Sequence, residues 1–296
     1  MGTKDFFKRH TILFCILAAA VALFSNLSVA VLETFVGDSL PEGFVADAVC
    51  KYIVAILPLY IMVKWGYTKK TNPRRLASGF LLGALCILFA ARNLLPLVLV
   101  NPMLVQVQWG LIIIILIDVF GIGLLEEAGL RGVIIPFLCE KWQDKKYPCL
   151  LAAFVSSLLF GCIHLNWSVR YFLAYGELTS EFLFNNLYQV YYAFCFGMLA
   201  AGICMYSRSI LPMVIWHGFC DFSGFLSYGI LPLTTLETYS GTGVLSPQNF
   251  LNTYGILKGF HYGDELIFGI INLLYLVVGI VLAIKAEKHI LLQTDL

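Results

Sequence analysis

Charge is scarce in this chain. Asp, Glu, Lys and Arg make up 12% of its 296 residues, against 60% hydrophobic. With a mean hydropathy of +0.85, too little polar surface remains to solvate a globular fold of this length. A soluble protein is excluded, and the expected surround is a lipid bilayer. A net charge of +1 leaves no basic footprint, so no nucleic-acid partner is expected. Paired cysteine motifs are missing too. Nine cysteines (Cys15, Cys50, Cys86, Cys139, Cys149, Cys162, Cys195, Cys204, Cys220) are scattered singly through apolar segments without a C-x-x-C. That pattern argues against a disulfide framework or a zinc ribbon and reads as small core hydrophobes. No internal repeat is visible, so an inverted-repeat transporter lacks its signature.

What is present is a series of long apolar runs. Eight are long enough to cross a hydrocarbon core of about 30 Å at 1.5 Å per residue. They fall near residues 11–35, 48–66, 76–99, 109–139, 148–165, 187–206, 210–230 and 265–285. The fold class expected is therefore all-α, a polytopic membrane protein of about eight transmembrane helices in one domain, 1–296. The first run follows a basic start and is about 20 residues long, which suits an uncleaved span better than a signal peptide. The third is the least uniform, with Arg92 and Pro96 in its second half. The fourth, about 31 residues or some 46 Å, must tilt or project beyond the bilayer. Basic residues at Lys4–Arg9, Lys64–Arg75, Lys141–Lys146, Arg208 and Lys285–Lys288 alternate with acidic or nearly uncharged connections. The positive-inside rule then places both termini in the cytoplasm of a multi-pass cell-membrane protein. The long polar connection near 231–264 would lie outside as a cap or a mobile loop.

Against that apolar background, GIGLLEEAGLRGVIIP (121–136) stands out. A charge at the centre of a span costs about 2.5–3.5 kcal/mol on insertion scales, and this one carries three. At 100° per residue Glu127 and Arg131 share a face, whereas Glu126 is turned away from its neighbour. An internal Glu127–Arg131 ion pair, with Glu126 free to face something else, is the economical assignment; a purely structural buried network is the other. Two further spans carry polar groups. FGCIH puts Phe160 four residues before His164, and HGFCD puts His217 and Asp221 on one helical face. A lone histidine on an apolar helix is commonly an interhelical hydrogen bonder. Three polar helices together supply a carboxylate base, two imidazoles and a second carboxylate, the parts needed to activate water and stabilise an oxyanion in amide hydrolysis.

EEAGLR (126–131), F-x-x-x-H (160–164) and H-x-x-x-D (217–221), in that order on successive motif-bearing spans, resemble the CPBP family: CAAX proteases and bacteriocin-processing enzymes, also called the Abi family. Phe194, Gly197 and Ala201 resemble its weaker intervening pattern. The likeness covers about 120–225, the expected catalytic core. It implies an intramembrane endopeptidase in which Glu126 activates water with help from His164. His217 and Asp221 would polarise the scissile carbonyl or stabilise the oxyanion, and Glu127, Arg131 and Phe160 would support them. Asp221 stands where the family has Asn or Asp, and it must be protonated to donate a hydrogen bond. The expected partner is a membrane-associated or apolar peptide or protein substrate. The resemblance associates such proteins with peptide pheromone or bacteriocin maturation, self-immunity and CAAX-type processing. Short loops and the lack of an attached domain look like a bacterial member.

Two alternatives stay open at this point. His164, His217 and Asp221 could hold zinc with Glu126 as general base; the lack of H-E-x-x-H favours a metal-free glutamate mechanism with no cofactor. A non-catalytic membrane regulator, binding a sensor kinase or a receptor, would keep the polar cluster for packing alone. Cys162 and Cys220 sit beside the histidines, but with nine apolar cysteines the adjacency reads as coincidence rather than as thiol nucleophiles. His10, His261 and His289 fall at span ends or in loops and read as solvated.

Overall fold

The computed structural model describes residues 2–11, 13–14, 40–65, 67, 72–98, 105–165, 168, 172, 176–226, 230–232 and 262–291. Within them the chain is helical apart from one short strand pair. The elements are α1 (Thr3–Arg9), α2 (Leu40–Lys64), α3 (Pro73–Gly83), a 3₁₀ turn (Ala84–Cys86), α4 (Ile87–Val98), β1 (Val105–Val107), α5 (Trp109–Glu126), a π-helix (Glu127–Ile134), α6 (Ile135–Lys141), α7 (Pro148–Ile163), α8 (Ser180–Ser207), α9 (Leu211–Phe225), β2 (Ile230–Pro232) and α10 (Tyr262–Leu291). Five stretches, Phe44–Lys64, Pro73–Ala91, Trp109–Lys141, Phe182–Ser207 and Ile267–Glu287, are long and apolar enough to cross a membrane. The protein is a polytopic all-α membrane protein. Seven of the eight expected spans have a helix in place; the first beyond Phe14, and most of the 231–264 connection, lie outside the described residues.

Local chemistry sets the helix ends. Asn72 accepts from the Arg74 N–H at 2.9 Å just before Pro73, and Thr179 accepts from the Phe182 N–H at 3.2 Å, each satisfying an orphan donor of the first turn. Arg208, at φ 56°, closes α8 in the left-handed conformation. The uneven third span breaks at Ala84–Cys86, earlier than Arg92 and Pro96 suggest. The break frees carbonyls for long-range partners: the Tyr275 hydroxyl donates to Leu85 O at 3.1 Å, and the Cys220 thiol points at Cys86 O.

The helices divide into a centre and a rim. In α8, 67% of the apolar window is buried in the protein, against 22% for the window in α2. Thus α8 is the central post, while α2 turns Ile53, Ile56 and Val63 outward, as expected of side chains facing lipid. Gly279 of α10 meets α8 so closely that a Cβ there would lie 2.3 Å from Met198 O. Small residues of this kind let membrane helices approach backbone to backbone.

Two contacts bear on which segments share a face. β1 and β2 pair antiparallel, Val105 opposite Pro232, so the ends of the two connections assigned to the outside lie together. At the other end Lys4 and Lys8 reach Glu140 at 2.9 and 3.1 Å. This joins α1 to the end of α6, two segments that the charge pattern assigns to one side. There, burial and the neighbouring Glu140 carboxylate push the Tyr67 hydroxyl well above its ordinary range.

Candidate active site

The opening motif is not an α-helix. From Glu127 to Ile134 the backbone is a π-helix, whose i→i+5 bonds widen the turn, a distortion found frequently at functional sites. Glu126 and Glu127 keep ordinary helical dihedrals, yet one imidazole lies between them and both carboxylates reach it. His217 Nδ1 donates to Glu127 Oε1 at 2.9 Å, and His217 Nε2 lies 3.5 Å from Glu126 Oε2. Glu126 is thus not turned away from its neighbour's partner.

Glu127 and Arg131 are in ionic contact at 3.3 Å, without hydrogen-bond alignment. The guanidinium also donates to Gly197 O at 3.4 Å and lies over the Phe160 ring at 4.7 Å, so its charge is matched by a carboxylate, a carbonyl and an aromatic face. Exposure separates the two glutamates. The Glu127 side chain is fully buried, whereas Glu126 keeps 12% and Asp221 26% of the side chain open. Glu127 is closed off, while Glu126 and Asp221 are the two carboxylates left partly open.

Asp221 comes within 3.7 Å of His217 Nε2, one turn along α9. α9 can sit this close because Gly123 faces it: a Cβ there would lie 2.8 Å from Val214 O. His164 caps α7 at the C-terminal end, and its Nδ1–H donates to Phe160 O at 2.9 Å. A carbonyl only accepts, so the neutral ring must carry its proton on Nδ1 and offer Nε2 as an acceptor. The Phe160 ring stands edge-on to both histidines, at 4.9 Å from His164 and 5.6 Å from His217. The structure thus gathers Glu126, Glu127, Arg131, Phe160, His164, His217 and Asp221 into one region. Among the described residues no group of three His, Cys, Asp or Glu side chains converges as a metal ion requires; in this arrangement His164, His217 and Asp221 do not fit a zinc site. The eight described cysteines are free thiols.

Three contributors escape the sequence reading. Asn186 donates to His164 O at 2.9 Å and accepts from the Ser168 hydroxyl, fixing the end of α7. Phe196 packs against His217 at 4.9 Å. Lys51 of α2 and Asp118 of α5 form a buried ion pair at 3.0 Å. The signal for that pair was available: each is a lone charge in an apolar run, the criterion that picked out Glu126.

The comparisons agree with this core. Residues 108–223 match the family model of the type II CAAX prenyl endopeptidases, Rce1-like. A probable CAAX prenyl protease 2 of Schizosaccharomyces pombe is 29% identical over 101 residues, covering 33% of this chain and 35% of that protein. The chain therefore matches about a third of its curated relative's length, and that eukaryotic relative lends no support to a bacterial source. No solved structure matches. Residues 108–223, which hold every one of the gathered motifs, are thus similar to the Rce1-like CAAX prenyl endopeptidases.

Proposed function

We propose that the chain is an intramembrane endopeptidase that hydrolyses a peptide bond in a membrane-associated substrate, of which a prenylated CAAX peptide is the first to test. One observation carries the reading. His217 is anchored through Nδ1 to Glu127, while Nε2 faces a gap between Glu126 Oε2 at 3.5 Å and Asp221 Oδ2 at 3.7 Å, too far for a good hydrogen bond to either. A polar nitrogen held in place but unsatisfied on its open side suits a group that arrives with the substrate.

In this mechanism Glu126 takes a proton from water and the hydroxide attacks the scissile carbonyl carbon. The tetrahedral oxyanion accepts from the protonated Nε2 of His217, and from Asp221 when that carboxyl is protonated. His164 orients the water through Nε2, its Nδ1–H being committed to Phe160 O. Collapse breaks the C–N bond, and the proton held by Glu126 passes to the leaving amine. Water is thus consumed and an acid and an amine are formed. We place both termini on the cytoplasmic side, with the site open towards it, and assign no metal to the reaction. Activity that survives chelation, in protein carrying no stoichiometric metal, supports the last assignment; one zinc per chain overturns it.

The test compares membrane and released peptides from cells expressing the wild type or Glu126→Gln at equal levels of folded protein. A precursor that accumulates only with Glu126→Gln is expected. Identical profiles with the phenotype intact would instead favour a non-catalytic regulator.

A further inference from the structure

α9 carries His217 and Asp221 on one face. The residues one position earlier, Trp216 and Cys220, share a neighbouring face about 100° round the helix, and Ser223 continues it. All three meet the broken span formed by α3, the 3₁₀ turn and α4. The Trp216 indole N–H donates to Phe80 O at 2.8 Å, the Cys220 thiol donates to Cys86 O at 3.7 Å, and the Asn93 amide donates to Ser223 Oγ at 3.1 Å. One rung thus lies before the turn Ala84–Cys86, one on it and one after it.

Shape sets the first rung as much as the hydrogen bond does. Gly83, the last residue of α3, makes a slot for the Trp216 ring, and a Cβ there would overlap the indole. Against α5, α9 is closed just as tightly, since a Cβ at Gly218 would lie 2.8 Å from the Phe120 ring. A helix wedged between two such contacts cannot rotate without losing one of them. His217 depends on that rotation: Nδ1 must stay on Glu127 Oε1 at 2.9 Å while Nε2 stands 3.5 Å from Glu126 Oε2. At about 5–6 Å from a helix axis, a turn of about 10° moves a side-chain atom by about 1 Å. A misplacement of that size can cost about 10²-fold in rate.

We infer that Trp216 is a positioning residue for the peptide-bond hydrolysis. Keyed by its N–H to Phe80 O and by its ring to the slot at Gly83, it fixes the rotation of α9 and with it the places of His217 and Asp221. The inference rests on the proteolytic reading of the site. Trp216 acts through those two side chains and not on the substrate, and both of its partners, Phe80 and Gly83, lie outside the family match at 108–223.

The experiment uses the full chain in lipid nanodiscs and has two arms. In the first, with a prenylated CAAX peptide as probe, Trp216→Phe keeps a ring and removes the N–H, and it is expected to lower kcat about tenfold with KM within twofold. Gly83→Ala, which displaces the indole from the α3 side and leaves α9 unaltered in sequence, should lower kcat by a similar factor. The double variant should cost little more than either alone. Tyr52→Phe is the control: it removes another interhelical hydrogen bond, to Ile117 O at 3.0 Å between α2 and α5, and should leave kcat within twofold. In the second arm, without substrate, ¹⁵N-histidine NMR follows the Nδ1–H of His217, assigned by its loss in His217→Gln. Trp216→Phe and Gly83→Ala should each shift that signal and leave the His164 signal in place. An unshifted His217 signal, or a loss of kcat no larger than in Tyr52→Phe, would reduce Trp216 to a helix staple and overturn the proposal. If the wild type leaves the peptide intact, the proteolytic reading fails for that substrate, while the NMR arm still decides whether Trp216 positions His217.

Discussion

The two site histidines share a residue type and a neighbouring ring, yet they are held in opposite ways. His217 lies inside α9, with one nitrogen on the Glu127 carboxylate and the other facing Glu126 and Asp221. His164 sits at the end of α7, more open, and its polar contacts are to backbone: its Nδ1–H donates to Phe160 O, and its own carbonyl accepts from Asn186. One imidazole is tied into an ionic network that includes the fully buried Glu127 and Arg131. The other is locked in a single neutral tautomer with a free acceptor nitrogen. The contrast predicts a division of labour: His217 joins structure to charge stabilisation, and His164 serves the water alone.

Substitution at each histidine should separate those roles. His217→Ala removes the partner of a buried carboxylate, so it is expected to cost about 3 kcal/mol of stability as well as roughly 10²–10⁴-fold in cleavage rate. Thermal melting and peptide cleavage on the same preparation check both. His164→Ala should lower the rate by about a hundredfold and leave the melting temperature nearly unchanged. Equal losses of stability at the two positions would erase the distinction. Asn186→Leu removes the support of the His164 carbonyl and the acceptor of the Ser168 hydroxyl without touching the imidazole, so a smaller loss of about tenfold is expected. It should be strongly non-additive with His164→Ala in a double-variant cycle. Smallest of all, Cys162→Ala with Cys220→Ser should change the rate less than twofold. Cys220 is buried against Cys86 O, and Cys162 is exposed; a large loss would reopen a thiol mechanism.

The sequence makes the site legible because charge is so costly within apolar spans. Glu126, Glu127, Arg131, His164, His217 and Asp221 stand out against their surroundings, and their i, i+4 spacings hold for Glu127 with Arg131 and for His217 with Asp221. The sequence hides departures from regular helix. The π-helix at Glu127–Ile134 has no residue signature comparable to a proline, and the shared contact of Glu126 and Glu127 with His217 depends on how α9 packs against them. The 3₁₀ break at Ala84–Cys86 is equally silent; its stabilising partner, Tyr275, lies 190 residues further along the chain. Lys51 and Asp118 obey the rule that flagged Glu126, but each is single in its span, and only their pairing across α2 and α5 makes them more than isolated charges.

The account stands on Glu126 as the group that activates water. Purified wild type and Glu126→Gln, matched for melting temperature in nanodiscs, are incubated with a prenylated CAAX peptide after chelation, and the products are read by mass spectrometry. The account predicts one specific internal cleavage by the wild type and a loss of roughly 10²–10⁴-fold in the variant. Cleavage by Glu126→Gln at the wild-type rate would contradict it.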